Sequence, residues 1–375
     1  MCLNKKKESI IKKVIVISAI NLRSGGTLSI LNDCLEYLDK ELSSTYKIVA
    51  LVHKETILNK TDNIEFIEFP NSVKSYFYRL YYEYVYFKKL SKKLKPYLWL
   101  SLHDMTPNVV SDIRAVYCHN PSPFYKINLN EFFLDYKFAL FSWLYKYLYK
   151  INITKNNFVI VQQEWLRDEF IKLYGVENVV VANPNIEISI QNEKTIEKSD
   201  KTIFFYPSFP RVFKNFELIC EAVSLIDSSY ADKYEVILTI DGSETKYSKD
   251  VFDKYSQYEN IKFIGLQTRE KVFEIYSKSD CLIFPSKLET WGLPISEFKT
   301  YDKSILSIDL PYAKETVGDY SKVKFFSLNN PKELAVYMQN MIDDSLVYDV
   351  NESIQKSELS SSSWKELFEI LLKRR

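Results

Sequence analysis

Glycine is scarce in this chain, with seven in 375 residues, and histidine is scarcer, with three. The five cysteines (Cys2, Cys34, Cys118, Cys220, Cys281) stand far apart with no short repeated spacing. That scatter supports neither a disulfide framework nor a thiolate zinc site. Net charge is also nearly missing. Lys+Arg 50 against Asp+Glu 49 leaves a formal +1, which argues against a protein held to nucleic acid by bulk charge. No apolar run reaches the roughly 18 to 20 residues that a bilayer-spanning helix needs. The polar N-terminus, with Lys5, Lys6 and Lys7, leads into a short apolar run, Val14–Ile20, then Asn21 and Arg23. No small-residue cleavage pattern follows, so no signal peptide is read and a cytoplasmic protein is expected.

The chain does have enough apolar content for packed cores, at 46% hydrophobic and 26% charged residues. Its length suits two domains of about 150 to 200 residues. The charge balance hides an asymmetry: residues 1–190 hold 25 Lys+Arg against 19 Asp+Glu, and the remainder 25 against 30.

Short β-rich apolar runs recur at Val14–Ile20, Lys47–Val52, Ala115–His119, Phe158–Gln162 and Asn178–Ala182. They resume at Thr202–Tyr206, Val236–Asp241, Ile261–Gly265, Cys281–Pro285, Ile305–Asp309 and Lys322–Phe326. Most are nearly continuous in apolar residues, as parallel strands covered on both faces should be. Between them lie helical periods such as Leu28, Leu31, Leu35 and Leu38. The fold class is therefore α/β, with strand–helix alternation carried out twice. Asn183-Pro184-Asn185 and the polar stretch after it mark a linker at 187–201. This divides the chain into a domain at 1–186, a second at 202–359, and a C-terminal helix at 360–375 that can return to the first domain.

Each rare glycine should have a backbone reason to exist. Gly25 and Gly26 follow the first strand and precede a helix, and Gly242 and Gly265 follow later strands. The pair is not a G-x-G-x-x-G, and no acidic residue stands roughly 20 residues onward for a dinucleotide ribose, which disfavours an NAD-dependent oxidoreductase. The sharpest element runs from Phe284-Pro285-Ser286 through Glu289, Trp291, Gly292, Leu293 and Pro294 to Glu297. A buried strand ends, glycine allows a tight turn, and Pro294 suits the first position of a helix whose free N–H groups favour an anion. Glu297 is expected in that first turn, able to accept two hydrogen bonds from a ribose diol, and Glu289 in the loop before it. On spacing alone both are equally well read as helix-start and surface carboxylates.

Glu289 to Glu297 resembles the E-x7-E arrangement of retaining GT-B glycosyltransferases of family 4. The surrounding Pro-Ser…Glu-x-Trp-Gly-Leu-Pro-x-x-Glu is similar to that family's donor-site loop. Tyr206 to Asn215 resembles the start of its second domain, with the phosphate-binding lysine at Lys214, and Asp280 to Ser286 the strand before the donor loop. Val161 to Arg167 and Val181 to Pro184 resemble the end of its first domain. Within the family, Ser101 to Pro107 and Tyr117 to Tyr125 look like the bacterial enzymes that build O-antigen and capsule repeats.

The resemblance implies two Rossmann-like domains with parallel sheets facing across a cleft, and a nucleotide-sugar substrate rather than a bound cofactor. It implies that Glu297 holds the ribose, Glu289 the sugar hydroxyls, and Lys214, with Arg211, the diphosphate. The backbone around Gly25, Gly26, Gly292, Leu293 and Pro294 would complete the donor site. His119 stands where the family often has a sugar-contacting histidine. His103 and Asp104 would line the acceptor side, while His53 reads as structural. No metal is implied, in keeping with the absence of an Asp-x-Asp motif or a His-x-x-His cluster. Two departures stand out. Phe209 occupies the place of the family's arginine, five residues before the lysine, so Arg211 either replaces it in space or is a surface charge. The glycine common after the second glutamate is absent, with Asp302 near its place.

Tyr76 to Leu98 and Tyr136 to Tyr149 mix aromatics with lysine, as helices lying in an anionic membrane interface do. The alternative is helices packed on a sheet with snorkelling lysines. The expected activity is therefore retaining transfer of a sugar to a growing lipid-linked oligosaccharide at the inner face of the cytoplasmic membrane. A non-catalytic GT-B partner protein and a nucleotide-sugar epimerase are the rival expectations. No RNA-binding motif accompanies the aromatic–basic mixture, so no nucleic-acid partner is expected.

Overall fold

The computed structural model describes residues 12–183 and 200–373. They form two compact units: 12–120, 146–183 and 357–373 make the first, and 121–145 with 200–356 the second. All but two residues of the expected linker at 187–201 lie outside the described residues, as do the N-terminal lysines and Cys2.

In the first unit, strands β1 (Lys13–Ala19), β2 (Tyr46–Val52), β3 (Ile64–Glu68), β4 (Leu98–Ser101), β5 (Ile113–Tyr117), β6 (Phe158–Val161) and β7 (Val179–Ala182) form one sheet. In the second unit, β8 (Thr202–Tyr206), β9 (Tyr234–Leu238), β10 (Ile261–Phe263), β11 (Cys281–Phe284), β12 (Ser304–Ile308) and β13 (Val323–Phe326) form another. The two-residue β14 (Ser360–Ser361) joins the first sheet beside β7. The orders are β14-β7-β6-β5-β4-β1-β2-β3 and β10-β9-β8-β11-β12-β13, with every pairing parallel.

Alternation along β1 supplies two cores at once. Ile15, Ile17 and Ala19 pack toward Leu31, Cys34 and Leu35 of helix Gly25–Tyr37 and toward Leu367, Phe368 and Leu371. Val16 faces the other way, with Phe69, Phe87 and Trp99. Successive side chains on a strand point to opposite faces, so an unbroken apolar run is what a two-sided core demands. The C-terminal helix Trp364–Leu372 thus belongs to the first unit's core, and Ser363 caps it by accepting the Glu366 N–H at 3.2 Å.

Every apolar run read as a strand overlaps an observed one. Three strands escaped that reading: β3, β4 and β14. β3 is an edge strand reading Ile-Glu-Phe-Ile-Glu, β14 has only two residues, and β4 opens at Leu98, where a helix was expected to end. The domain boundary also needs correction. Residues 121–145 cluster with the second unit, because their inward side chains pair with residues of that unit's loops.

Candidate functional site

Both sheets contain the doubly wound order 3-2-1-4-5-6, counted within each unit and extended in the first by β7 and β14, so each has a switch point: between β1 and β4, and between β8 and β11. Open parallel sheets bind ligands beyond the carboxyl ends of the strands at such points, where successive loops diverge and leave a crevice. In the second unit those two loops are 207–215, after β8, and 285–292, after β11. They carry Lys214 and Glu289.

Lys214 Nζ and Glu289 Oε1 form a close ion pair with side chains 17% and 16% exposed, shielded yet reachable. The loops beneath them are tied together. Asn215, in a left-handed conformation at φ 59°, donates from Nδ2 to Pro285 O at 3.2 Å. The Lys287 N–H donates to Phe213 O at 2.7 Å, and the Tyr206 hydroxyl to Lys214 O at 2.9 Å. Tyr312 and Thr316, from helix Pro311–Val317, donate to the carbonyls of Ser286 and Trp291. Burial, and then the Glu289 carboxylate, push the Tyr312 phenol well above its ordinary range, so it stays a neutral donor.

Gly292 turns the chain at φ 90° into helix Leu293–Lys299, with Pro294 its second residue. A β-carbon there would be strained by that φ alone. Glu297 is not in the first turn as expected but one turn on, facing inward and 6% exposed. Arg269 Nη2 lies 2.9 Å from its Oε1, and the Tyr276 hydroxyl donates to Oε2 at 3.2 Å. Burial raises the Glu297 carboxyl above its ordinary value, against the opposing pull of Arg269 and Tyr276. Arg211 lies over the Phe209 ring at 5.6 Å and pairs with Asp135 Oδ2 at 3.1 Å. The phenylalanine that stands in the arginine's place thus supports an arginine two residues on.

In the first unit, Gly25 takes φ 66° and opens helix Gly25–Tyr37, and a β-carbon on Gly25 or Gly26 would meet nothing within 4 Å. The loop after β4 is different. His103 is fully buried: Nδ1 lies 2.8 Å from Ser18 O and Nε2 2.5 Å from Glu83 Oε1. It ties β1 to the helical stretch at Tyr82–Tyr86 and presents nothing to an acceptor, which corrects its expected place. Asp104, at φ 70°, accepts the His119 N–H at 2.5 Å, the Asn120 N–H at 3.1 Å and the Tyr149 hydroxyl at 2.9 Å. It organises the turn that holds His119. His119 is half-buried, with Nε2 3.1 Å from Leu102 O, and burial lowers its ring below the ordinary histidine value. A ring held neutral suits contact with a sugar hydroxyl.

Arg269, Tyr276, Glu131, Asp135 and Lys287 were invisible as site neighbours in the sequence. Only a fold brings together pairs 156 residues apart, as for Lys287 and Glu131, or 76 apart, as for Arg211 and Asp135. Among the described residues no group of three or more His, Cys, Asp or Glu side chains is placed to hold a metal ion.

Comparison with known proteins bears on the fold that carries these residues. Residues 187–357 match the family described as glycosyl transferases group 1. A stretch of 116 residues, 30% of this chain, is 28% identical to the serotype-specific mannosyltransferase WbdA of Escherichia coli. That stretch spans only 14% of WbdA. Among solved structures, the apo lipopolysaccharide outer core galactosyltransferase WaaB superposes with a TM-score of 0.62 at 12% identity, covering 90% of this chain and 92% of WaaB. Anabaena HepE in complex with UDP gives 0.59 at 12%, covering 89% and 90%. The chain has the GT-B glycosyltransferase fold, and its second sheet lies in a segment matching the group 1 family.

Proposed function

We propose that the chain is a retaining, metal-independent glycosyltransferase that moves a hexosyl group from a nucleotide-sugar to a growing, lipid-linked oligosaccharide of O-antigen or capsule type. The observation that carries the reading is the Lys214–Glu289 pair at the second sheet's switch point, inside the segment matching the group 1 family. The mannosyltransferase name of WbdA and the UDP held by HepE support it.

In this reading the arriving donor exchanges partners with the pair. Lys214 turns to the diphosphate and Glu289 to the sugar hydroxyls, while Glu297 holds the ribose and Arg211 and the Gly292–Pro294 backbone complete the donor contacts. The C1–O bond breaks with its electron pair leaving on the diphosphate, whose charge Lys214 stabilises. The acceptor hydroxyl attacks from the same face and passes its proton to the departing phosphate oxygen. Lys214 therefore acts on charge that develops in the transition state, and its loss lowers turnover more than donor binding. Within the first unit, Asp104 would act by organising the turn that holds His119.

The lipid-linked acceptor calls for attachment to the inner face of the membrane. No helix among the described residues is long and apolar enough to cross one. Attachment would instead use exposed aromatics such as Tyr76 and Phe77, the latter 85% exposed, beside exposed Lys88, Lys89, Lys92 and Lys93. A thermal-shift screen against UDP, GDP, ADP and dTDP, with and without magnesium, tests the donor site. A magnesium-independent shift with one nucleotide, lost in Glu297→Ala, is expected. No shift with any of them would favour the non-catalytic partner protein.

A further inference from the structure

Residues 121–145 face two ways. Inward, they grip the loops that carry Lys214 and Glu289. Glu131, 5% exposed, holds Lys287 Nζ at 3.1 Å, and Lys287 stands two residues before Glu289. Glu131 is itself fixed by the Tyr125 hydroxyl at 2.7 Å and by a capping box with Asn128. Asp135 pairs with Arg211 at 3.1 Å. The ring of Phe213, next to Lys214, packs in a triangle with those of Tyr125 and Phe138, with centroids 6.2 and 5.0 Å away and 6.1 Å between the latter two.

Outward, the same segment shows solvent an apolar surface. Leu129, Phe133, Tyr136, Leu140, Trp143 and Leu144 are each 50–77% exposed. Four of them, Tyr136, Leu140, Trp143 and Leu144, recur on one stripe of helix Tyr136–Lys150. The segment's charges are sorted by sign: both acids, Glu131 and Asp135, are turned into ion pairs, and both lysines, Lys126 and Lys137, are exposed. An aromatic and aliphatic face whose exposed charges are all positive complements an anionic bilayer, which takes rings at headgroup depth and attracts lysine.

We infer that 121–145 couples bilayer docking to the donor site. Seating the apolar face on an anionic bilayer holds the segment, and through Glu131–Lys287 and Asp135–Arg211 it holds the loops of Lys214 and Glu289 in their nucleotide-binding arrangement. Glu131 and Asp135 are positioning residues. The inference rests on the donor-site reading above and adds a regulator to it. Because coupling between two sites is reciprocal, a nucleotide that binds tighter on the bilayer must tighten bilayer binding by the same factor.

The test is calorimetric titration of the full chain with UDP, GDP, ADP and dTDP, alone, with phosphatidylglycerol–phosphatidylcholine vesicles, and with phosphatidylcholine vesicles. The expected result is at least about fivefold tighter nucleotide binding on the anionic vesicles, the lower end of ordinary coupling. The same factor should appear when vesicle co-sedimentation is repeated with the nucleotide present. Leu140→Ser with Trp143→Ser should lose the vesicle effect and keep the vesicle-free affinity. Glu131→Gln should keep vesicle binding and lose the gain in nucleotide affinity, and Asp135→Asn serves if that variant does not fold. Failure to bind anionic vesicles, a nucleotide affinity that ignores them, or dimerisation abolished by Trp143→Ser without vesicle binding would each overturn the coupling alone. Absence of nucleotide binding in all conditions would overturn the donor-site reading along with it.

Discussion

Each unit places a short-range polar pair near its sheet's switch point, and the two pairs serve different ends. His103 and Glu83 in the first unit have fully buried side chains, and Ser18 O takes the other ring nitrogen. Lys214 and Glu289 in the second keep about a sixth of their side-chain surface exposed, at 17% and 16%. A pair sealed from water can only hold elements together. A pair on two loops, still open to solvent, can trade its internal partner for a ligand's charges. Switch-point topology alone therefore does not identify a site; residual access at the charged groups does.

The largest effect on stability should come from breaking the sealed pair. Glu83→Ala leaves His103 Nε2 buried without its hydrogen-bond partner, and a buried polar group left unsatisfied costs about 1–3 kcal/mol. Urea denaturation should show that loss in the first unit. A change under about 1 kcal/mol would mean that water or a neighbour replaces the carboxylate and that the tie is not structural. Lys214→Ala should do the reverse. Stability should stay near wild type, while turnover falls about 10²–10³-fold, as when one donor to a developing oxyanion is removed. A larger rise in KM than fall in kcat would reassign Lys214 to ground-state binding.

How far the sequence discloses this comparison depends on which residues are asked. Continuous apolar runs show the central strands because a two-sided core leaves no other pattern. β3 hides because Glu65 and Glu68 interrupt its apolar residues, which an exposed edge strand tolerates. The donor-side loop is legible from its own order of residues, from Phe284 to Glu297. Its wiring is not, since Lys214 and Glu289 are 75 residues apart and Lys287 and Glu131 156. The buried role of His103 is equally hidden, because a histidine after an apolar strand reads alike whether sealed or exposed. The odd Asp302 does find its reason. It sits at φ 53°, a left-handed position that favours glycine, and its carboxylate takes Lys322 Nζ at 2.7 Å.

A middle case sharpens the contrast. Glu297 is nearly as sealed as Glu83, yet its partner Arg269 has a side chain 65% exposed. If Arg269 steers the carboxylate toward a ribose, Arg269→Ala should weaken nucleotide binding about tenfold, the cost of losing a charged hydrogen-bond partner, and leave turnover at saturation unchanged. Titration calorimetry would show this. Unaltered affinity would make Arg269 a surface charge.

The smallest effect is a slope with pH, and it separates burial from pairing at Glu297. Burial dominates and raises this carboxyl above the ordinary 4.5. Between the unfolded and the raised folded value, the folded chain keeps a proton that the unfolded chain has lost. The contribution to stability from this group is therefore full below about pH 4.5 and shrinks as pH rises through the folded value. Nucleotide binding should run the opposite way, because only the ionised carboxylate accepts both ribose hydroxyls, so affinity grows over the same interval. Glu297→Gln, uncharged throughout, should flatten both slopes. Melting curves and nucleotide titrations from about pH 4 to about pH 7 would follow the two together. A wild-type stability that instead climbs with pH, more steeply than in Glu297→Gln, would mean that Arg269 outweighs burial and that the carboxylate is held charged for structure.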